Sequence, residues 1–266
     1  YKNTKHNKTI DTKVYALGGL NEIGKNMYCV EHDNEIIIID AGVKFAEEGL
    51  PGIDYVIPDY SYLKRNENKI RGLLITHGYE DHIGGIPFLL QVVKIPFIYA
   101  SPLACAMITR KLEEKRLTNA THLIRIDDEY QIKTKYFNIG FFKTNHSIPE
   151  SLGIIINSPN GRIVSTGDFK FDLTPVGDPA DFQKMSFLGE TGVTLLLSDS
   201  TNAEVPTFSK SEKQVAYAVQ EEFRKTEGRL IVATFASNVH RVQQIIDAAV
   251  KFNRKILVFG RSMENN

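Results

Sequence analysis

The sequence is poor in cysteine and has no excess charge of either sign. Only Cys29 and Cys105 occur among 266 residues, and they lack the spacing of a paired metal motif. This argues against a disulfide scaffold and fits a reducing compartment, so we expect a cytoplasmic protein with both thiols in its core. The 32 basic and 32 acidic residues cancel, so the overall charge gives no evidence of nucleic-acid binding.

Long apolar runs are also missing. No stretch approaches the roughly 20 residues that a membrane-spanning helix needs. No signal-like apolar segment follows the N-terminus. We therefore expect no membrane partner. Hydrophobic residues make up 42% of the chain and charged residues 24%, which is typical of a globular protein with a substantial core.

The pattern of apolar and turn-forming residues predicts a mixed α/β chain. Residues 1–13 are polar and rich in lysine, and we expect them to form a tail. Short apolar or alternating segments predict strands, and longer periodic segments predict helices. The predicted strands are 14–17, 27–31, 35–40, 71–75, 97–100, 123–126, 130–132, 136–143, 153–158, 162–166, 193–198, 229–234 and 255–259. The predicted helices are 60–66, 83–93, 102–116, 212–225 and 239–251, and residues 171–190 are predicted to be irregular.

One stretch, residues 73–85, concentrates chemistry in a loop. An apolar run stops at Thr76, and His77, Asp81 and His82 follow within six residues. Imidazole and carboxylate groups are ligands of Zn²⁺ or Mn²⁺. A surface loop with solvated charges is the alternative. Other predicted strands also end in polar residues, which favours a site assembled at one sheet edge; these residues are Asp40, His146 and Asp168.

The stretch 77–82 resembles the H-x-H-x-D-H signature of the metallo-β-lactamase superfamily, except that Tyr79 stands where the pattern has its middle His. Asp40, His146 and Asp168 match the first, third and fourth motifs of that superfamily. Three further segments resemble the ribonuclease J family of the β-CASP branch. They are ALGGLNEIGKN at 16–26, SDSTN at 198–202 and GRSMENN at 260–266.

This resemblance implies a fold and an activity. The fold is an αββα sandwich over residues 14–208, followed by the first part of an α/β β-CASP domain over 209–266. The activity is that of a metal-dependent ribonuclease, both endonuclease and 5′-3′ exonuclease, in rRNA processing and mRNA decay. The alternative is a weakly active or inactive paralogous subunit that binds RNA or an active ribonuclease J partner, and the resemblance also implies a homo-oligomer or a hetero-oligomer. A lactam or thioester hydrolase is disfavoured, because such enzymes do not need residues 198–202 and the extension after them.

The resemblance also implies two divalent ions, with Zn²⁺ expected and Mn²⁺ or Mg²⁺ as alternatives. His77, the position of Tyr79, and His146 would belong to one ion. Asp81, His82 and a later His that has no counterpart in these 266 residues would belong to the other, with Asp168 bridging. Each site thus lacks one imidazole, and we expect a fragment of a longer protein or a degenerate product.

The role of Tyr79 stays open at this point. It could bind a metal ion as a phenolate, but an ordinary Tyr pKa near 10 makes that costly. Asp81 could also act as a general base toward water. Asp40 is expected to orient a His or a loop amide rather than to bind the ion itself.

Residues later in the chain have weaker assignments. As the resemblance implies, Asp199 could orient or protonate groups near the scissile phosphate; a carboxylate that caps a turn is the alternative. Ser237 and Asn238 follow a predicted strand and open a predicted helix, so they could hold an RNA phosphate. N-capping by Ser237 is an equally good interpretation.

Overall fold

The computed structural model describes residues 10–46, 49–260 and 263–264. Its strands are β1 (Lys13–Gly18), β2 (Met27–His32), β3 (Glu35–Ile39), β4 (Lys44–Phe45), β5 (Tyr55–Val56), β6 (Ile70–Leu74), β7 (Phe97–Ala100), β8 (His122–Arg125), β9 (Ile132–Lys133), β10 (Asn138–Lys143), β11 (Leu152–Ser158), β12 (Gly161–Ser165) and β13 (Leu195–Leu197). Its α-helices are α1 (Ser61–Arg65), α2 (Glu80–Ile83), α3 (Ile86–Val92), α4 (Pro102–Glu114), α5 (Phe182–Thr191), α6 (Glu212–Lys225) and α7 (Val239–Lys251).

Two sheets form the body of the protein. The first has the strand order β1-β2-β3-β6-β7-β8, with parallel pairing from β3 to β8. The second has the order β13-β12-β11-β10-β9, antiparallel except where β12 meets β13. Parallel strands place their carboxyl ends at one edge, and the ends of β3 and β6 carry the polar residues of interest.

Strand β3 shows why the sheets are stacked. All five of its residues are buried, as expected for a strand covered on both faces. Ile36 and Ile38 pack with the helices α1, α3 and α4. Ile37 and Ile39 point the other way, into a core shared with the second sheet. Because side chains alternate between the two faces of a strand, β3 contributes residues to two different cores.

The remaining layer lies on the outer face of the second sheet. There α5 contributes Leu188 to a cluster with Phe142, Ile155 and Val164. Helices thus cover both sheets on their outer faces, and the predicted αββα sandwich is confirmed. Both cysteines are free thiols in the core, as predicted. No helix in the described ranges is long and apolar enough to cross a membrane.

Several predicted elements are wrong. Residues 182–191 form a helix rather than an irregular segment, because Asp181 caps it by accepting a hydrogen bond from the Lys184 N–H at 2.8 Å. The helix predicted over 83–93 begins later, as α3, and a separate helical turn, α2, precedes it.

Two predicted strands and part of the predicted tail also differ. Residues 229–234 and 255–259 pair with no described strand, so they form no β-strand in the described part of the chain. The prediction of a tail is wrong at Thr12, whose N–H donates to Asn160 Oδ1 at 2.9 Å. Residues 1–9 lie outside the described residues.

A buried carboxylate ties the two sheets together at the start of β3. Glu35 is 3% exposed and accepts hydrogen bonds from the Thr134 hydroxyl at 2.6 Å and the Tyr136 N–H at 3.0 Å. Arg71 Nε on β6 donates to the same carboxylate at 3.0 Å. Burial raises the pKa of Glu35, but these hydrogen bonds lower it by more, so it lies below its usual value.

We predict that Glu35→Gln lowers the free energy of unfolding by about 1–3 kcal/mol at pH 7, because buried donors lose a charged acceptor. A carboxylate whose folded-state pKa is depressed stabilises the fold above its unfolded-state pKa. That stabilisation is lost as the pH falls through the folded-state pKa. The difference between wild type and variant, measured by urea unfolding, should therefore shrink below about pH 4.

The matched control is Glu190→Gln, at an exposed position near the end of α5. It should change stability by less than about 0.5 kcal/mol at either pH. If the difference in unfolding free energy between wild type and Glu35→Gln stays constant from neutral to acidic pH, the Glu35 carboxylate does not stabilise the fold through its charge.

Candidate metal centre

Three side chains from two stretches of the chain meet at the sheet edge. His77 follows β6, His82 lies in α2, and Asp168 follows β12. One ligand atom from each lies within 4.8 Å of the others. His77 and His82 are buried, whereas Asp168 keeps 28% of its side chain exposed. The cluster therefore has a closed inner side and one side open to solvent.

Asp40 organises the inner side of the cluster. It follows β3 with a left-handed backbone (φ 59°) and is 2% exposed. One carboxylate oxygen accepts the Thr76 N–H at 2.9 Å, and the other accepts the Thr76 hydroxyl at 2.8 Å. His82 Nδ1 lies 2.7 Å from the second oxygen. The N–H at Nδ1 therefore donates a hydrogen bond to Asp40, and Nε2 faces the centre.

His82 Nε2 faces a negatively charged environment. It lies 3.3 Å from Asp168 Oδ1 and 3.5 Å from Asp81 Oδ2. Asn26 Nδ2 lies 3.2 Å from the same nitrogen. Burial lowers the pKa of His82, but Asp40, Asp168 and Asp81 together raise it well above its usual value. The surroundings thus favour positive charge at this point.

His77 and His146 face the same space as neutral rings. Burial, with His82 nearby, lowers the pKa of both imidazoles. His77 Nδ1 lies 3.0 Å from the Thr76 hydroxyl, but the buried Nε2 atoms of His77 and His146 have no hydrogen-bond partner among the described residues. His146 Nε2 is 3.7 Å from Asp168 Oδ2. A buried polar atom without a partner costs about 1–3 kcal/mol, and a cation would supply the partner.

Nitrogen lone pairs, carboxylates and a preference for positive charge fit a divalent cation, so the donor set suits the metal that the superfamily resemblance implies. The structure brings together five predicted ligands around this point. They are His77, Asp81, His82, His146 and Asp168.

Tyr79 borders the centre without pointing its hydroxyl at it. Its ring meets those of His77 and His146 edge to face, each at 5.1 Å between centroids. The hydroxyl lies 2.7 Å from Ser147 Oγ. Burial is the main cause that raises the pKa of Tyr79 to about 12, so the phenol stays protonated at neutral pH. The geometry therefore disfavours Tyr79 as a phenolate ligand.

The loops around the site pack backbone against backbone. Ala41 N–H donates to His82 O at 2.8 Å, and Asn26 N–H donates to Asp81 O at 3.1 Å. A Cβ atom at Gly42 would lie 1.6 Å from Asp81 O, so only glycine allows this approach. The absence of a side chain at Gly42 thus helps to fix where Asp81 sits.

The remaining candidates are held by local contacts. Asp199 Oδ1 accepts the Thr201 N–H at 2.8 Å, as a carboxylate that caps a turn does. Asp199 is still close enough to raise the pKa of His146, against the stronger effect of burial. Asn238 Oδ1 accepts the Arg241 N–H at 3.0 Å, so Asn238 caps α7, and the interpretation of Ser237 as the cap is wrong.

Three participating residues were missed by sequence reasoning. Thr76 contacts Asp40 and His77, Asn26 contacts His82, and Ser147 contacts Tyr79. Thr76 and Ser147 stand directly beside predicted ligands, which was a usable signal. For Asn26 the only signal was its place at the end of the Gly-containing segment 16–26.

Comparison with known proteins supports the superfamily that the motifs resemble. A family model described as the metallo-β-lactamase superfamily matches residues 20–215, and one described as the ribonuclease J β-CASP domain matches residues 227–266. A crystal structure of a protein of unknown function from Enterococcus faecalis superposes with a TM-score of 0.62 at 17% identity. That superposition covers 89% of this chain and 63% of the other, and it supports the fold alone.

Curated relatives are similar in sequence over nearly the whole of this chain. The chain is 57% identical to ribonuclease J 1 of Streptococcus pyogenes over 257 residues, which are 97% of this chain and 46% of that protein. It is 46% identical to ribonuclease J of Mycoplasma genitalium, over 96% of this chain and 45% of that protein. It is 41% identical to ribonuclease J 2 of Staphylococcus aureus, over 97% and 46% respectively. The chain thus spans about half the length of the curated relatives it matches. On the motifs, the two stacked sheets and these matches, the chain belongs to the metallo-β-lactamase superfamily, in its ribonuclease J branch.

Proposed function

We propose that this chain is the metal-binding part of a ribonuclease that hydrolyses RNA phosphodiester bonds. The observation that carries the proposal is the cluster of His77, His82 and Asp168, with an unpartnered buried nitrogen on His77. It occurs in a chain whose relatives are named ribonuclease J. The cluster supplies the place for an ion, and the relatives supply the class of substrate.

Different residues of this chain would bind the two ions. His77 and His146 would offer neutral nitrogens to one ion, and His82 and Asp81 would serve the other. Asp168 lies between His82 and His146 and would bridge. A bound divalent ion would lower the pKa of water and stabilise negative charge on phosphate oxygens.

Two carboxylates are proposed to act on the reacting groups. Asp81 is buried less deeply than the histidines, with 29% of its side chain exposed, so it can accept a proton from water beside the centre. Asp199 would orient or protonate groups near the scissile phosphate. Ser237 and Asn238 would contact RNA phosphates. The Asn238 N–H already donates to Phe235 O at 3.1 Å and its Oδ1 caps α7, so the side-chain Nδ2 is the donor that would reach a phosphate.

The finer parts of the proposal follow the family resemblance. They are two ions, with Zn²⁺ expected, and both endonuclease and 5′-3′ exonuclease action. They also include rRNA processing and mRNA decay in the cytoplasm, in a homo-oligomer or with a paralogous subunit. We place the boundary between the lactamase and β-CASP domains near residue 209, just before α6 begins.

A second candidate function is favoured by Tyr79. Its hydroxyl is engaged by Ser147 and stays protonated, so the first ion has one ligand fewer than in the family pattern. The protein could then be a weakly active subunit that binds RNA or an active ribonuclease J partner. Metal binding and RNA cleavage separate the two candidates.

We predict that Asp168→Ala abolishes metal binding, because a bridging carboxylate serves both ions and balances their charge. The measurement is metal content per chain by inductively coupled plasma mass spectrometry after dialysis against Zn²⁺ or Mn²⁺. Asp247→Ala, at an exposed position on α7, is the control and should keep the wild-type content. Full metal content in the Asp168 variant would show that this residue is not a ligand.

We predict that Tyr79→His, made in a chain that carries the complete β-CASP domain and the returning lactamase strands, raises RNA hydrolysis by about one order of magnitude or more, because it restores a neutral nitrogen ligand. In the 266 residues alone the same substitution should do much less, because the second ion still lacks its later His. Tyr79→Phe is the matched control. It keeps the ring that packs on His77 and His146 but removes the hydroxyl, so metal affinity should stay near that of wild type. Equal activity of the Tyr and His forms at saturating Mn²⁺ and Zn²⁺ would instead make Tyr79 a working member of the site.

The proposed activity is tested directly with 5′-labelled single-stranded RNA, incubated with Mn²⁺ or Zn²⁺ and, separately, with a chelator. We predict metal-dependent cleavage that His77→Ala reduces by at least about a hundredfold. RNA binding without cleavage, in wild type and in Tyr79→His alike, would favour the inactive-subunit candidate over the ribonuclease.

A further inference from the structure

Glu212, the first residue of α6, is a buried carboxylate that contacts several elements. It is 5% exposed. Lys170 Nζ donates to its Oε1 at 2.5 Å, and Gln244 Nε2 on α7 donates to its Oε2 at 3.3 Å. Arg241, also on α7, places a guanidinium nitrogen 3.6 Å from Oε2. Two helices and the segment after β12 therefore share one carboxylate.

The backbone of Glu212 is held from the same segment. Its N–H donates to Asp172 Oδ2 at 2.8 Å, and Asp172 is 3% exposed. Lys170 Nζ lies 3.8 Å from that Asp172 oxygen. Burial raises the pKa of Glu212, but Lys170 and Arg241 lower it by more, so the carboxylate stays ionised. The cluster thus contains two carboxylates and two cations at the junction between the second sheet and the C-terminal helices.

This junction is connected directly to the metal centre. Lys170 follows Asp168 by two residues, and its N–H donates to Asn145 O at 2.9 Å in an isolated antiparallel bridge. Asn145 precedes His146. Lys170 therefore joins the two loops that deliver Asp168 and His146, and Glu212 joins Lys170 to α6 and α7. A pocket of about 620 Å³ beside this junction is lined by His146, Lys170 and Glu212 among others.

We propose that Glu212 is a positioning residue for the metal centre: through Lys170 it fixes the loops of His146 and Asp168 relative to α6 and α7. The claim that these loops bind metal ions rests on the proposed function. The claim that Glu212 fixes the position of the loops does not.

The Glu212 side chain is only 7% exposed, so little solvent can replace its charge. Glu212→Gln keeps the shape of the side chain but leaves Asp172 as the carboxylate that faces the half-buried Lys170, and it removes the charge opposite Arg241. Glu221 offers a matched control on the same helix, since its ion pair with Arg224 at 2.8 Å leaves both side chains at least half exposed. An exposed pair contributes little to stability. Glu221→Gln therefore removes a charge from α6 without touching the junction.

The first measurement is hydrogen–deuterium exchange of the full chain without metal, followed by mass spectrometry. Glu212→Gln should speed amide exchange in peptides that cover 143–150 and 166–172, and it should leave β2 and β3 unchanged. The second is calorimetric titration with Mn²⁺, in which Glu212→Gln should weaken affinity about tenfold, as loss of a group supporting the ligands does. Glu221→Gln should match wild type in both measurements.

Unchanged exchange in the two ligand loops of Glu212→Gln would overturn the proposal, whatever the metal result. A fall in melting temperature with no change in Mn²⁺ affinity would also overturn it, because Glu212 would then only stabilise the fold. If wild type binds no Mn²⁺, the proposed function fails, and the exchange data still decide the role of Glu212. Glu212→Asp, which keeps the charge but shortens its reach, is a second variant should the Gln form not fold, and its effects should have the same direction.

Discussion

The site depends on one buried carboxylate, that of Asp40. It is placed at the end of β3 by a left-handed turn, and both of its oxygens are used inside the protein. One effect is structural, since the bond to the Thr76 N–H fixes the start of the ligand loop after β6. The other is electrostatic, since the contact with Nδ1 of His82 sets which nitrogen of that ring faces the centre. Without Asp40, a buried imidazole and a buried loop amide would both lose their acceptor.

Within the centre, the histidines differ in charge for a physical reason. His82 is surrounded by carboxylates and holds positive charge, whereas His77 and His146 are buried among other rings and stay neutral. A cation entering the space would meet free lone pairs on two rings and compete with a proton on the third. Tyr79 adds bulk and edge-to-face contacts but no ligand atom, so it preserves the shape of the centre while changing its chemistry.

How far the sequence predicted the structure can be judged from particular elements. The run of four isoleucines before Asp40 predicted a strand, and α6 and α7 were predicted to the residue. The loops that carry the proposed ligands were predicted at the ends of strands, because their polar residues interrupt apolar runs, and the assignment of those residues as ligands stays a prediction. The strands at 229–234 and 255–259 failed, because strand propensity is realised only against a partner. The direction of the Tyr79 hydroxyl could not be predicted either, since it depends on Ser147, far away in sequence.

Gly42 carries no chemical group, yet its missing side chain decides how closely two loops approach. Every other amino acid would place a carbon atom within bonding distance of the Asp81 carbonyl oxygen. In a saturation-mutagenesis map this position would therefore score as intolerant as any ligand. A reader of such a map alone would assign it a role in catalysis. Mutational sensitivity here reports the space between two backbones, and it identifies the scaffold of the site as readily as its chemistry.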